Sequence, residues 1–210
     1  MFQDLNLNRA QELLAAIQFF NQKNWSPATS TNYSVRSDKS NEYIISRSGV
    51  DKSKFQLSDL ILINSEGSVL PPFNKPGIKS SAETEIHTFL YEMDAEINCV
   101  LHTHSVLGTV YSRALAKEGR MKLEGYEILK GIEGNLTHEL EETLIIVPNS
   151  QDIKNIIRDI QPHLSTLKKA HGFLIAGHGL YTWGKDIASA KRHIETYEFL
   201  FECTFAMRRI

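Results

Sequence analysis

Cys99-Val100-Leu101-His102-Thr103-His104 and, further along, Gly172-Phe173-Leu174-Ile175-Ala176-Gly177-His178-Gly179 are the two stretches on which the reading of this chain turns. Both have strand character. On a strand, side chains i and i+2 share a face, so the first stretch delivers the imidazoles of His102 and His104 side by side at a strand end. The second is a near-continuous apolar run of strand length, as in a central strand covered on both faces. It ends on a histidine whose flanking glycines permit a tight turn and leave the ring unobstructed. Imidazole suits zinc, iron or nickel, and a catalytic zinc commonly takes three protein ligands and keeps one position open. His102, His104 and His178 are therefore the expected metal ligands. His171 precedes the apolar run and belongs at the opposite end of that strand. His87, His138, His163 and His193 fall on expected helices or polar stretches and read as surface or capping residues.

Working outward, Asn8 and Gln11 form a capping box ahead of Leu13, Leu14, Ile17 and Phe20, which recur at helical spacing. Tyr33 to Arg36, Glu42 to Ser46 and Leu60 to Asn64 read as short strands of an antiparallel meander. After the stiff Pro71, Pro72 and Pro76 connection, a second helix begins near Ala82. Thr143 to Val147 reads as another central strand. From Asp186 the chain is helical to its end, with Ile187, Ala190, Ile194, Tyr197 and Phe201 as the apolar stripe. Ser80-Ser81-Ala82-Glu83 can close a capping box at the second helix, and by spacing alone Glu83 belongs to that cap. A carboxylate beside the metal is its other reading.

A chain of 210 residues with 41% hydrophobic content fits one domain over residues 1–210. The formal net charge of -2, with both signs scattered throughout, gives no case for nucleic acid or an anionic membrane as partner. No apolar run approaches ~18 residues, and Met1 to Leu5 lacks a basic signal region, so the expected location is cytoplasmic. Cys99 and Cys203 lie far apart without a CxxC pattern and read as reduced thiols.

Taken together, Thr31-Asn32-Tyr33-Ser34-Val35-Arg36, Ser46-Arg47-Ser48-Gly49-Val50, Ser80-Ser81-Ala82-Glu83, His102-Thr103-His104 and Gly177-His178-Gly179-Leu180-Tyr181-Thr182-Trp183-Gly184 resemble the class II aldolase and adducin-like family over nearly the whole chain. The resemblance implies an α/β fold with a central, mostly antiparallel β-sheet flanked by α-helices on both sides. It implies one Zn2+ per subunit on His102, His104 and His178, and a homotetramer with active sites near subunit contacts. The implied substrate is a small phosphorylated ketose, its phosphate surrounded by Thr31, Asn32, Ser48, Gly49, Ser80 and Ser81. Hydroxyls and backbone N–H groups in turns and at a helix start make a donor-rich site for such an anion. Where aldolases of the family show Gly-Asn, this chain has Thr31-Asn32 after the glycine-free Pro27-Ala28-Thr29-Ser30, so its phosphate loop differs in shape.

Within the family, Glu124-Gly125-Tyr126-Glu127-Ile128-Leu129-Lys130-Gly131-Ile132 and the aromatic-rich Tyr197 to Phe201 resemble dehydratases rather than aldolases. The activity this implies is loss of water from a ketose 1-phosphate with a methylthio end. One group must take the C3 proton and one must protonate the departing C4 hydroxyl. The resemblance assigns general acid/base work to Glu127. Spacing alone reads Glu124, Glu127 and Glu133 as a solvated acidic stretch. Glu83 occupies the position where aldolases of the family keep their acid/base carboxylate and is the second candidate. The competing activities are aldol cleavage and 4-epimerisation on the same scaffold. A non-catalytic adducin-like module has no need of metal ligands, so the three histidines count against it.

Overall fold

The computed structural model describes residue 2 and residues 4–208. Its helices are α1 (Asp4–Gln22), α2 (Thr84–Met93), α3 (Val106–Ala114), α4 (Ile153–Ile160), α5 (Leu164–Ala170) and α6 (Ile187–Met207). The strands are β1 (Asn32–Arg36), β2 (Glu42–Ser46), β3 (Leu60–Asn64), β4 (Cys99–Thr103), β5 (Arg120–Leu123), β6 (Glu142–Val147), β7 (Gly172–Ile175) and β8 (Gly179–Gly184). They form a sheet ordered β3-β2-β1-β4-β8-β7-β6-β5. Every neighbouring pair is antiparallel except β6 and β7. A central, mostly antiparallel sheet is the architecture that the resemblance implied.

Alternation of side chains along the strands divides the apolar residues into two layers. On one face Leu13, Ile17 and Phe20 of α1 and Ile194, Leu200 and Phe201 of α6 pack with Leu101 and Leu180 of the sheet. On the other, Ile86 and Leu90 of α2, Ile156 and Ile160 of α4, and Leu167 of α5 pack with Val100, Phe173 and Trp183. Helices thus cover both faces, which is why β4, β7 and β8 are buried along their whole lengths. The three-strand meander and the strands at Cys99, Glu142 and Gly172 form where the sequence pattern placed them.

Helix α6 runs to Met207, and the last two residues of the expected helix lie outside the described ones. Helix α1 starts at Asp4, ahead of the expected cap at Asn8, because Leu7 already packs on the core and carries the apolar stripe a turn earlier. Among the described residues, no helix is long and apolar enough to cross a membrane.

Candidate metal centre

The register of the central strands assembles the centre. Asn32 of β1 lies opposite His102 of β4, which in turn lies opposite Tyr181 of β8. Directly after His104 the chain turns into α3, capped by the Ser105 hydroxyl, which accepts from the Gly108 N–H at 2.9 Å. Between β7 and β8 the turn carries His178. Gly177 adopts a left-handed φ of +65°, and a side chain at Gly179 would overlap the Thr103 carbonyl. Gly177 is thus favoured by the backbone conformation of the turn, and Gly179 is required by the approach of the turn to β4.

Three ligand nitrogens converge here. His104 Nε2 lies 2.7 Å, and His178 Nε2 3.3 Å, from His102 Nε2. The ligand atoms of the three residues all lie within 4.8 Å of one another. His102 Nδ1 donates to the Leu180 carbonyl at 3.0 Å, so the lone pair of the neutral ring is on Nε2, facing the other two histidines. The His178 Nδ1 faces Asn149 Oδ1 at 3.4 Å. Burial holds the His102 imidazole well below its usual pKa, against the pull of Glu83. It brings His104 down to about 4, with a further push from His178. Neutral imidazoles with converging lone pairs are what a metal requires. A tetrahedral set of zinc–nitrogen bonds puts ligand atoms about 3.3 Å apart, which the His102–His178 spacing meets and the His102–His104 spacing approaches from below. The donor set fits a divalent zinc-like ion.

Glu83 belongs to this centre. It stands at the N-cap of α2, but its side chain makes no capping hydrogen bond, and Ser81 Oγ instead accepts from the Glu83 N–H at 3.2 Å. The capping box suggested by spacing is absent because the carboxylate turns inward. Its oxygens lie 3.1 Å from His178 Nε2 and 3.5 Å from His102 Nε2. Asn32 Nδ2 donates to it at 2.8 Å, and the Tyr181 hydroxyl at 2.5 Å. Burial raises the Glu83 pKa, but His102, His178 and Tyr181 more than reverse this, so the carboxyl is held below its usual range and is ionised. Behind it, His87 bonds to Asn32 Oδ1 and, at 2.7 Å, to the Ser34 hydroxyl. Tyr181 stacks on His102 with ring centroids 4.0 Å apart.

Two histidines expected at the surface are buried. His87 is 1% exposed and lies behind Asn32, and His193 is fully buried, donating through Nδ1 to the Trp183 carbonyl and accepting from the Glu133 N–H. The helical pattern concealed them because each sits on the inward stripe of its helix. His171 lies beside His193, with centroids 4.7 Å apart, at the strand end away from the centre as expected.

The loops expected around the phosphate gather at one side of the centre. The Ser48 N–H donates to the Lys79 carbonyl, Arg47 bridges to Ser80, and Asn32 joins Glu83. Thr31 has a φ of +71° and Gly49 one of +76°, and a side chain at Gly49 would meet nothing within 4 Å. A β-branched residue in left-handed backbone is strained, and such strain concentrates at functional loops. Glu127 is not joined to the cluster. Its carboxylate is 68% exposed and pairs with Lys130 and His138. Sequence reasoning passed over Tyr181, Asn149 and the role of Asn32 as bridge between Glu83 and His87. Tyr181 follows His178 in the same quoted block, so its proximity was the available signal.

A mostly antiparallel sheet carrying three histidines and a carboxylate at its centre defines a class: metal-dependent enzymes built on the class II aldolase scaffold. The chain belongs to the family described as Class II Aldolase and Adducin N-terminal domain, which it matches over residues 11–205. It is 45% identical over 205 residues to the methylthioribulose-1-phosphate dehydratase of Picosynechococcus sp., an alignment covering 98% of this chain and 95% of that one. The enzyme of the same name from Sorangium cellulosum is 42% identical over 194 residues, covering 92% of this chain and 90% of that one. Among solved structures, an L-fuculose 1-phosphate aldolase superposes with a TM-score of 0.76 at 17% identity, covering 96% of this chain and 87% of that one.

Proposed function

We propose that this lyase removes water from 5-methylthioribulose 1-phosphate to give 2,3-diketo-5-methylthiopentyl 1-phosphate, a step of methionine salvage. The observation that carries the reading is the convergence of His102, His104, His178 and Glu83, in a chain whose relatives at above 40% identity bear the dehydratase name. Residues 1–210 are read as one domain, working as a cytoplasmic homotetramer.

His102, His104 and His178 hold the ion, which we take to be Zn2+. Such an ion supplies electrostatic polarisation of the C2 carbonyl, which acidifies the C3 hydrogen. The protein does the rest. Hydrogen bonds to the Leu180 carbonyl and to Asn149 Oδ1 orient the His102 and His178 imidazoles, and Glu83 offsets positive charge beside them. Thr31, Asn32, Ser48, Gly49, Ser80 and Ser81 receive the phosphate and fix the ketose along the strand ends. Proton traffic is assigned to Glu127. It takes the C3 proton and returns a proton to the C4 hydroxyl as the C4–O bond breaks, so that water leaves and the resulting enol relaxes to the diketone. Because Glu127 is exposed and lies outside its own chain's cluster, it serves this role from a neighbouring copy in the tetramer.

Aldol cleavage or 4-epimerisation is the second reading, favoured by the position of Glu83 within the cluster and by the likeness of the fold to aldolases. The test is NMR of zinc-loaded protein with methylthioribulose 1-phosphate. Appearance of the 2,3-diketone supports dehydration, whereas C3–C4 cleavage products or a C4 epimer would replace it with the second reading.

A further inference from the structure

Lys52 is 2% exposed, and among the described residues no carboxylate lies within the 4.0 Å of an ion pair with it. Its ammonium donates to the Val50 carbonyl at 3.2 Å. The nearest negative charges are Asp51 and Asp59, and Asp59 is already occupied by Arg47, which donates to it twice, and by the Gln56 N–H. Beyond the Val50 carbonyl and the face of the Phe55 ring, 5.3 Å from Nζ, the buried ammonium keeps donor capacity to spare and has no carboxylate at ion-pair distance among the described residues, a costly arrangement that an anionic ligand would relieve.

Its location says which ligand. The Lys52 N–H donates to the Ala28 carbonyl at 3.0 Å, so the residue ties the loop that ends at Thr31-Asn32 to the segment Ser48-Gly49-Val50. Both segments carry left-handed backbone, at Ala28, Thr31 and Gly49. The same positive charge is near enough to His104 to add to the effects that keep its imidazole neutral. The other groups expected around the phosphate are hydroxyls, an amide and backbone N–H groups. None of them carries charge, although a phosphate monoester is close to a dianion at neutral pH.

We propose that Lys52 supplies the positive charge that recognises the substrate's phosphate, from beneath the loops at residues 28–32 and 48–50. It is a binding residue, and the inference rests on the reading of the ligand as a ketose phosphate. A strongly hydrated point charge on a flexible stem suits a phosphate without bidentate geometry. Burial already lowers the Lys52 pKa to about 8, and a phosphate beside it raises that value again, fixing the charge when substrate is present.

The test compares wild type with Lys52→Met and Lys52→Arg, all zinc-loaded. Affinity for inorganic phosphate is read by calorimetry, together with zinc content, melting temperature and KM for methylthioribulose 1-phosphate. Lys52→Met should bind phosphate about 30-fold or more weakly, with zinc content unchanged and a melting temperature no lower than wild type, and Lys52→Arg should recover much of the affinity. Unchanged phosphate affinity in Lys52→Met overturns the inference, as does loss of zinc along with phosphate, which would make the residue structural. Weakened phosphate binding in a protein whose wild type forms no diketone would leave Lys52 as a phosphate residue and refute the dehydratase reaction instead.

Discussion

Glu198 lies on α6, 2% exposed, against the end of β4, the strand that carries His102 and leads into His104. It accepts from the Thr103 hydroxyl at 3.2 Å and interacts with the Ser105 side chain, so it holds the chain on both sides of His104. Burial raises its pKa from 4.5 to about 7, with the Thr103 and Ser105 hydrogen bonds opposing. An acid raised in this way binds more protons folded than unfolded, so stability falls as pH climbs from the unfolded value through the folded one. The gap amounts to about 3 kcal/mol, present in full only above pH ~7 and nearly absent below pH ~4.5. Glu198→Gln keeps the shape and an acceptor for Thr103 but removes the titration. Urea unfolding of metal-free wild type and variant at pH 5 and pH 8.5 measures the effect. The variant should gain about 2–3 kcal/mol on wild type between the two conditions. A difference that stays constant to within about 0.5 kcal/mol would show that Glu198 titrates as an ordinary carboxyl and refute the reasoning.

Other perturbations have equally definite outcomes. His87, buried and bonded to Asn32 and Ser34, has its pKa lowered by burial to about 3, so between pH 7 and pH 5 it should cost wild type about 2 kcal/mol that His87→Gln does not lose; parallel pH curves for the two proteins in urea would contradict this. Glu83→Gln retains much of the hydrogen-bond frame but removes the charge beside His102 and His178, and should weaken metal binding about 10–100-fold in a chelator competition; an unaltered competition curve would detach Glu83 from the centre. Mixing unfolded and refolded His102→Ala and Glu127→Gln chains should restore part of the activity that each lacks alone, since one hybrid site then has both parts. No recovery would show that Glu127 does not act across chains.

The strands and helices that could be read in the sequence were those with one clear period. Tyr33 to Arg36, Glu42 to Ser46 and the alternating inward residues of α6 are bounded by turn residues and declare themselves. Strand β8 did not, because Gly179-Leu180-Tyr181-Thr182-Trp183-Gly184 is buried on both faces and so lacks alternation, while Thr182 and the two glycines interrupt the continuous apolar run that marked β7. Helices α3 and α5 are short, and α5 ends on the left-handed His171 rather than a glycine, so neither announces its end. Helix α4 did carry a signal, in Ile153, Ile156, Ile157 and Ile160. The clustering of His102, His104 and His178 was legible because strand period and glycine flanks act locally. The place of Glu83 was not, since a capping box and an inward carboxylate share one spacing, and only the neighbouring β1 and β8, which bring Asn32 and Tyr181, select between them. Lys52 carried no local signal at all; its burial depends on the segments at Ala28 and Val50 meeting around it.

The most direct measurement follows zinc and turnover together. Protein stripped by chelation should hold no zinc and leave methylthioribulose 1-phosphate unchanged. Adding one equivalent of zinc per chain should restore both binding and diketone formation, while His178→Ala should recover neither. Full conversion of the substrate by the stripped protein, or by His178→Ala without zinc, would contradict the assignment of this centre.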